Sequence, residues 1–185
     1  MADIEANDKG MNRVTFTSYL TAFEKLFVIN DVEAWSPRLR SKTAIRASAK
    51  RQFVDPSLAV IALGAKPEDL MADLKTFGFV FESLGHRDLR IYAESLDGQV
   101  YQYRDESGLE ADAIVHLADG KWGAVEIKLG GDEIDEASEK LLKLKERVDE
   151  KKMKVPSFLM VLTGTPYAYK RPDGVLVVPI GCLKN

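Results

Sequence analysis

The 185-residue chain has one cysteine, Cys182, and two histidines, His86 and His116. A lone thiol excludes an intramolecular disulfide, and two imidazoles without cysteine partners exclude the usual structural zinc patterns. Any metal site must therefore be built from oxygen ligands. Apolar runs are short, and none approaches the roughly 20 residues that a membrane-spanning helix needs. The first residues are polar and acidic, without the basic opening and apolar stretch of a secretory signal. These absences give the expectation of a cytoplasmic protein with no membrane partner. Excess charge is missing too, since the net charge is only −3. Affinity for nucleic acid would have to come from a local patch.

What is present suits a globular protein of one domain with a small appendage: 45% hydrophobic and 30% charged residues. Residues 1–12 read as a disordered tail. From there Phe16, Tyr19, Leu20, Phe23 and Phe27 recur at helical spacing, with Thr15 as a cap. A short strand over 27–29 and an Asn30-Asp31 turn follow. Over 13–36 this order suits a partial winged-helix-like segment, or a plain helical appendage packed on the main domain. Residues 37–66 read as a basic connector. Arg38, Arg40, Lys42, Arg46 and Lys50 occur there with no acidic residue between Glu33 and Asp55. Such a block can pair with nucleic-acid phosphates in a salt-dependent way, or it can be a solvated or domain-contacting face. A short strand near 52–54 and a helix from Pro56 to Ala62 complete the connector.

Residues 67–185 carry the main pattern. Pro67 opens a helix with Glu68 and Asp69 in its first turn, as the helix dipole favours. Its stripe is Leu70, Leu74, Phe77, Phe81 and Leu84, with Glu82 on the flank, and helical character is expected to run on to about Ser95. Strands are expected at 99–104, 109–117 and 121–129, separated by Asp97-Gly98, Ser107-Gly108 and Asp119-Gly120. A charged helix over 134–150 turns Ala137, Leu141, Leu144 and Val148 inward and presents Lys140, Lys143 and Lys145 to solvent. Two buried strands, 158–162 and 175–178, end the pattern.

Glu126 and Lys128 share one face of the third strand, because the side-chain period of a strand is two. Whether Asp112 joins them depends on the turn. A two-residue Asp119-Gly120 turn would pair Asp112 with Ile127 and send its side chain away. A three-residue loop, Ala118-Asp119-Gly120, pairs Leu117 with Lys121 and Asp112 with Glu126, with a left-handed glycine as its mark. That register leaves the opposite face wholly apolar, from Ala111, Ala113, Val115 and Leu117 to Val125 and Ile127. Two carboxylates beside one lysine are under-neutralised, which points to a cation.

The order helix, three strands, helix, strand, with Asp112 and Glu126-Ile127-Lys128 on the second and third strands, resembles the PD-(D/E)XK nucleases. The fold implied is α/β, a mixed central β-sheet flanked by helices, with a winged-helix-like appendage. A closer resemblance, from Arg13 onward, is to the C-terminal region of prokaryotic AAA-type ATPases. It rests on Tyr19-Leu20 through Trp35, Lys50-Arg51-Gln52-Phe53-Val54-Asp55-Pro56, Gly78-Phe79-Val80-Phe81-Glu82-Ser83-Leu84, Arg87-Asp88-Leu89, Glu110-Ala111-Asp112, Glu126-Ile127-Lys128 and Asp173-Gly174-Val175. The ATPase half is missing, and no Gly-x-x-x-x-Gly-Lys-Ser/Thr loop occurs, so ATP binding by this chain is not expected. An isolated module, a truncated product or one half of a split system would each fit. The resemblance implies that Asp112 and Glu126 hold magnesium or manganese, that Glu82 completes the site, and that Lys128 stabilises phosphate charge. The implied reaction is phosphodiester hydrolysis on DNA, with an AAA-type ATPase module as partner. The alternative is a catalytically silent domain of the same fold that binds DNA or protein.

Overall fold

The computed structural model describes residues 12–35, 49–148 and 153–184. The proposed tail through residue 11 and four members of the basic block, Arg38, Arg40, Lys42 and Arg46, lie outside them. Helix α1 (Arg13–Lys25) is capped by Asn12, whose side chain accepts the Thr15 N–H at 2.9 Å. The cap therefore falls three residues before the expected Thr15. Asparagine is the stronger cap, because its amide oxygen reaches an N–H that would otherwise lack a partner. Phe27 turns the chain at φ 56°, which delays the strand to β1 (Ile29–Val32). β1 pairs antiparallel with β2 (Lys50–Phe53), and its Asp31 stands opposite Arg51 with 3.2 Å between the charged groups. Helices α2 (Ser57–Ala62) and α3 (Pro67–Ala72) follow, and neither they nor α1 contain a fully buried residue.

The long helix expected from Pro67 is in fact two. Asp73 leaves helical geometry at φ −121°, ψ 79°, and its carboxylate accepts the N–H and hydroxyl of Thr76 at 3.1 and 2.6 Å. A short acidic side chain competes with the main chain for local donors, so it ends one helix and caps the next. The new helix, α4 (Leu74–Glu94), carries Glu82 and His86.

A six-stranded sheet follows, built from β3 (Gly98–Arg104), β4 (Glu110–Leu117), β5 (Trp122–Lys128), β6 (Phe158–Thr163), β7 (Tyr169–Lys170) and β8 (Leu176–Pro179). Its order is β3-β4-β5-β6-β8-β7. β3, β4 and β5 are antiparallel neighbours, whereas β5, β6 and β8 run parallel. A parallel step needs a crossover, and α5 (Ile134–Arg147) supplies it between β5 and β6. The sheet is thus mixed and covered by helices on both faces. On one face Val125, Ile127, Met160 and Leu162 pack with Phe81 and Leu89 of α4. On the other Trp122, Ala124, Leu159 and Val161 pack with Ala137, Leu141 and Leu144 of α5. The two-residue β7 was not anticipated. Both its residues are exposed, so no apolar alternation announces it. Among the described residues no helix is long and apolar enough to cross a membrane.

Gly85 lets α4 lie close on the sheet. A Cβ there would sit 3.0 Å from Ile127 Cδ1 and 3.1 Å from Leu162 Cδ2. Overpacking a closed interface costs about 1–3 kcal/mol. Gly85→Val is expected to lower the urea midpoint by a corresponding amount. An unchanged midpoint would show that α4 can stand off from β5 and β6.

Candidate active site where β4 and β5 part

The hairpin that builds the site closes through three residues. Leu117 N–H donates to the Lys121 carbonyl at 2.8 Å, Gly120 N–H donates to the Leu117 carbonyl at 2.9 Å, and Gly120 has φ 79°. Pairing then runs from His116 opposite Trp122 to Ala113 opposite Val125. This is the register that brings Asp112 toward Glu126. Trp35 roofs the far end of that face, its ring 4.7 Å from Trp122 between centroids.

At Asp112 the ladder breaks. Continued pairing would give the Ile127 N–H to the carbonyl of Ala111. Instead Asp112 Oδ2 accepts it at 2.8 Å. On the other side of β4, Tyr101 stands opposite Ile114 but Tyr103 opposite Ala111, so Asp112 and Ala113 together face Gln102. This is a β-bulge, which redirects the strand. Ala111, expected beside Ala113, therefore turns to the opposite face and joins the cluster of Trp35 and Ile114.

The bulge places Asp112 beside Lys128. The Lys128 ammonium lies 3.4 Å from Asp112 Oδ2 and 3.1 Å from Glu126 Oε2, bridging the two carboxylates. Glu82 comes from α4 but does not touch this trio directly. Its Oε1 accepts from Lys50 Nζ at 2.5 Å and from Gln52 Nε2 at 3.1 Å. Lys50 Nζ also lies 3.9 Å from Asp112 Oδ1. Lys50, read above as a contact to phosphate, to solvent or to the main domain, makes the last of these and points into the site. Lys50 and Gln52 share a face of β2, a two-residue spacing that was visible but carried no sign of its partner. Lys140, expected in solvent, pairs with Glu136 at 2.8 Å and lines a cavity of about 360 Å³ together with Asp112, Glu126 and Lys128. Among the described residues no three Asp, Glu, His or Cys side chains converge as a metal-holding group. Lys128 joins Asp112 to Glu126 and Lys50 joins Glu82 to Asp112, so ammonium groups do the bridging.

Residues 77–183 match the domain of unknown function DUF4143, which covers more than half of the chain. The chain belongs to the DUF4143 family. Residues 2–69 match a second domain of unknown function, DUF8612. No curated protein and no solved structure matches the chain. Glu82, Asp112, Glu126 and Lys128 all lie in the DUF4143 segment, whereas Lys50 and Gln52 lie in the DUF8612 segment. The side-chain cluster is assembled from both.

Burial decides the charge state. Glu126 is 2% exposed, and desolvation, reinforced by the negative charge of Asp112, pushes its carboxyl up to about 7 against the pull of Lys128. Burial alone would lower the Lys128 ammonium, but Asp112 and Glu126 hold it well above its ordinary range. Lys50 is likewise raised, burial being outweighed by Glu82. His86 lies under the site with its Nε2 buried and unpartnered, and desolvation lowers its pKa. The DUF4143 fold thus takes up a proton on Glu126 that the unfolded chain releases. Stability from this group is full below the ordinary value of 4.5 and is lost as pH rises to about 7. Glu126→Gln should flatten that slope and exceed the parent above pH 7 by about 1–3 kcal/mol. Parallel stability curves for the two proteins would show that burial does not hold Glu126 neutral.

Proposed function

We propose that the DUF4143 segment is a magnesium-dependent phosphodiesterase of the PD-(D/E)XK type, acting on DNA with an AAA-type ATPase module. The observation that carries this reading is the convergence of Asp112, Glu126 and Lys128 where β4 and β5 part. The succession of α4, three antiparallel strands, α5 and a parallel strand supports it. So does α1 followed by the β1–β2 ribbon, which is what a partial winged helix would contribute. Arg38, Arg40, Lys42 and Arg46 would supply phosphate contacts.

The donor set fits a hard cation. Magnesium keeps several waters and uses one or two carboxylates, and manganese accepts the same ligands, so Asp112 and Glu126 suffice without a third acid. Such a cation supplies charge against the phosphate and a more acidic bound water. The chain does the rest. The Ile127 N–H fixes Asp112 Oδ2 and keeps that carboxylate aimed at the cleft. Glu126 enters its charged form by giving up the proton that burial retains. Lys128, freed from the two carboxylates, presents its ammonium to a phosphate oxygen, and Glu82 tunes the site from α4. A second reading, a catalytically silent domain that binds DNA or protein, is favoured by one observation. Lys50 and Lys128 already neutralise much of the acidic cluster.

A plasmid-nicking assay with manganese separates the two. The parent is expected to nick, and Lys128→Ala to lose roughly 10²-fold or more of the rate, as when a group that stabilises developing charge is removed. Equal nicking by parent and variant would remove Lys128 from the chemistry. No nicking by the parent, with DNA still bound, would select the silent reading.

A further inference from the structure

The DUF8612 segment reaches the site through one side chain. Lys50 stands on β2, and its ammonium binds Glu82 Oε1 at 2.5 Å and faces Asp112 Oδ1 at 3.9 Å. The Ile127 N–H and Lys128 hold the other oxygen of Asp112. Lys50 therefore faces the one Asp112 oxygen that the described residues of the DUF4143 segment leave open. A divalent ion seeking that oxygen would meet a positive charge already there, and two cations on one carboxylate oxygen repel each other.

The uncharged Gln52 amide, by contrast, anchors the ribbon. Gln52 donates to Glu82 Oε1 at 3.1 Å and accepts from the buried Ser83 hydroxyl at 2.8 Å. These keep β2 on α4 whether or not Lys50 is engaged. The Lys50 side chain is 38% exposed against 19% for Lys128, so Lys50 is the freer of the two to swing out to solvent. The two lysines thus differ in kind. Lys128 is built into the end of β5, and Lys50 is a removable arm from a separate segment.

We propose that Lys50 is the resident counter-ion of Glu82 and Asp112, and that a divalent cation entering the site must displace it. The DUF8612 segment then sets the cation affinity of the DUF4143 site. Any partner or ligand that draws the β1–β2 ribbon away would tighten cation binding at Asp112. This inference rests on the metal-site reading given under Proposed function.

Calorimetry with manganese chloride on the full chain tests it. Lys50→Met keeps the stem and removes the charge, and it should bind manganese about five- to tenfold more tightly than the parent. Lys50→Arg should stay within about twofold of the parent, since it retains the charge. Asp112→Asn should abolish binding in either background. Binding that is lost in Asp112→Asn but unchanged or weakened by Lys50→Met overturns the role of Lys50 and leaves the metal site standing. Binding that survives Asp112→Asn, or no binding even in Lys50→Met, overturns both. A measurement on the unaltered protein guards against misfolded variants. Acetylation of Lys50, mapped by peptide mass, should speed up when manganese is added, and an unchanged rate at saturating manganese contradicts displacement.

Discussion

The Ile127 N–H donates to the carboxylate of Asp112 where a regular ladder would have used a main-chain carbonyl, and the geometry of the site follows from that exchange. A ladder that simply continued would set Asp112 opposite Glu126 and give the Ile127 N–H to the Ala111 carbonyl. The bulge at Asp112 and Ala113 ends the pairing of β4 with β5 and opens a cleft at the end of β5. One carboxylate oxygen is consumed in satisfying a main-chain donor that would otherwise be orphaned. The other is left for a cation, whether an ammonium or a metal. Architecture and chemistry therefore share one side chain: removing the Asp112 carboxylate breaks a structural bond as well as the site.

The second constraint is charge. Glu82, Asp112 and Glu126 face Lys50 and Lys128 in a partly buried setting, where unpaired charge is costly. Burial and the neighbouring Asp112 settle the balance by keeping Glu126 protonated until the pH nears 7. Two carboxylates and two ammonium groups then compensate each other. A divalent cation that charges Glu126 and displaces Lys50 leaves the cluster neutral overall, with the Lys128 ammonium freed to face an anionic phosphate. The same inventory explains why a silent domain of this fold would be stable and why an active one would be easy to switch.

The core was legible where local chemistry and tertiary packing agree. Asp119-Gly120 announced a tight turn, and the requirement that one face of the hairpin be apolar chose the three-residue loop over the two-residue one. Glu126 and Lys128 needed only the period of a strand. The failures have physical reasons too. Asp73 is one acidic residue inside a convincing helical stripe, and only its capping of Thr76 shows that it breaks the helix. The bulge at Asp112 leaves no mark in a run of small residues, so Ala111 was assigned to the wrong face. Lys50 sat in a basic block that pattern alone leaves open between phosphate, solvent and a contact with the main domain. Its partners Glu82 and Asp112 are 32 and 62 residues away and meet it only through tertiary structure.

The central claim is that Asp112 and Glu126 together hold a divalent cation. Anomalous diffraction from crystals soaked in manganese tests it most directly. A peak bound by one oxygen of each carboxylate, with the Lys128 ammonium moved off the pair, is the predicted result. Saturating manganese with no peak there, and Lys128 still bridging Asp112 and Glu126, would contradict it.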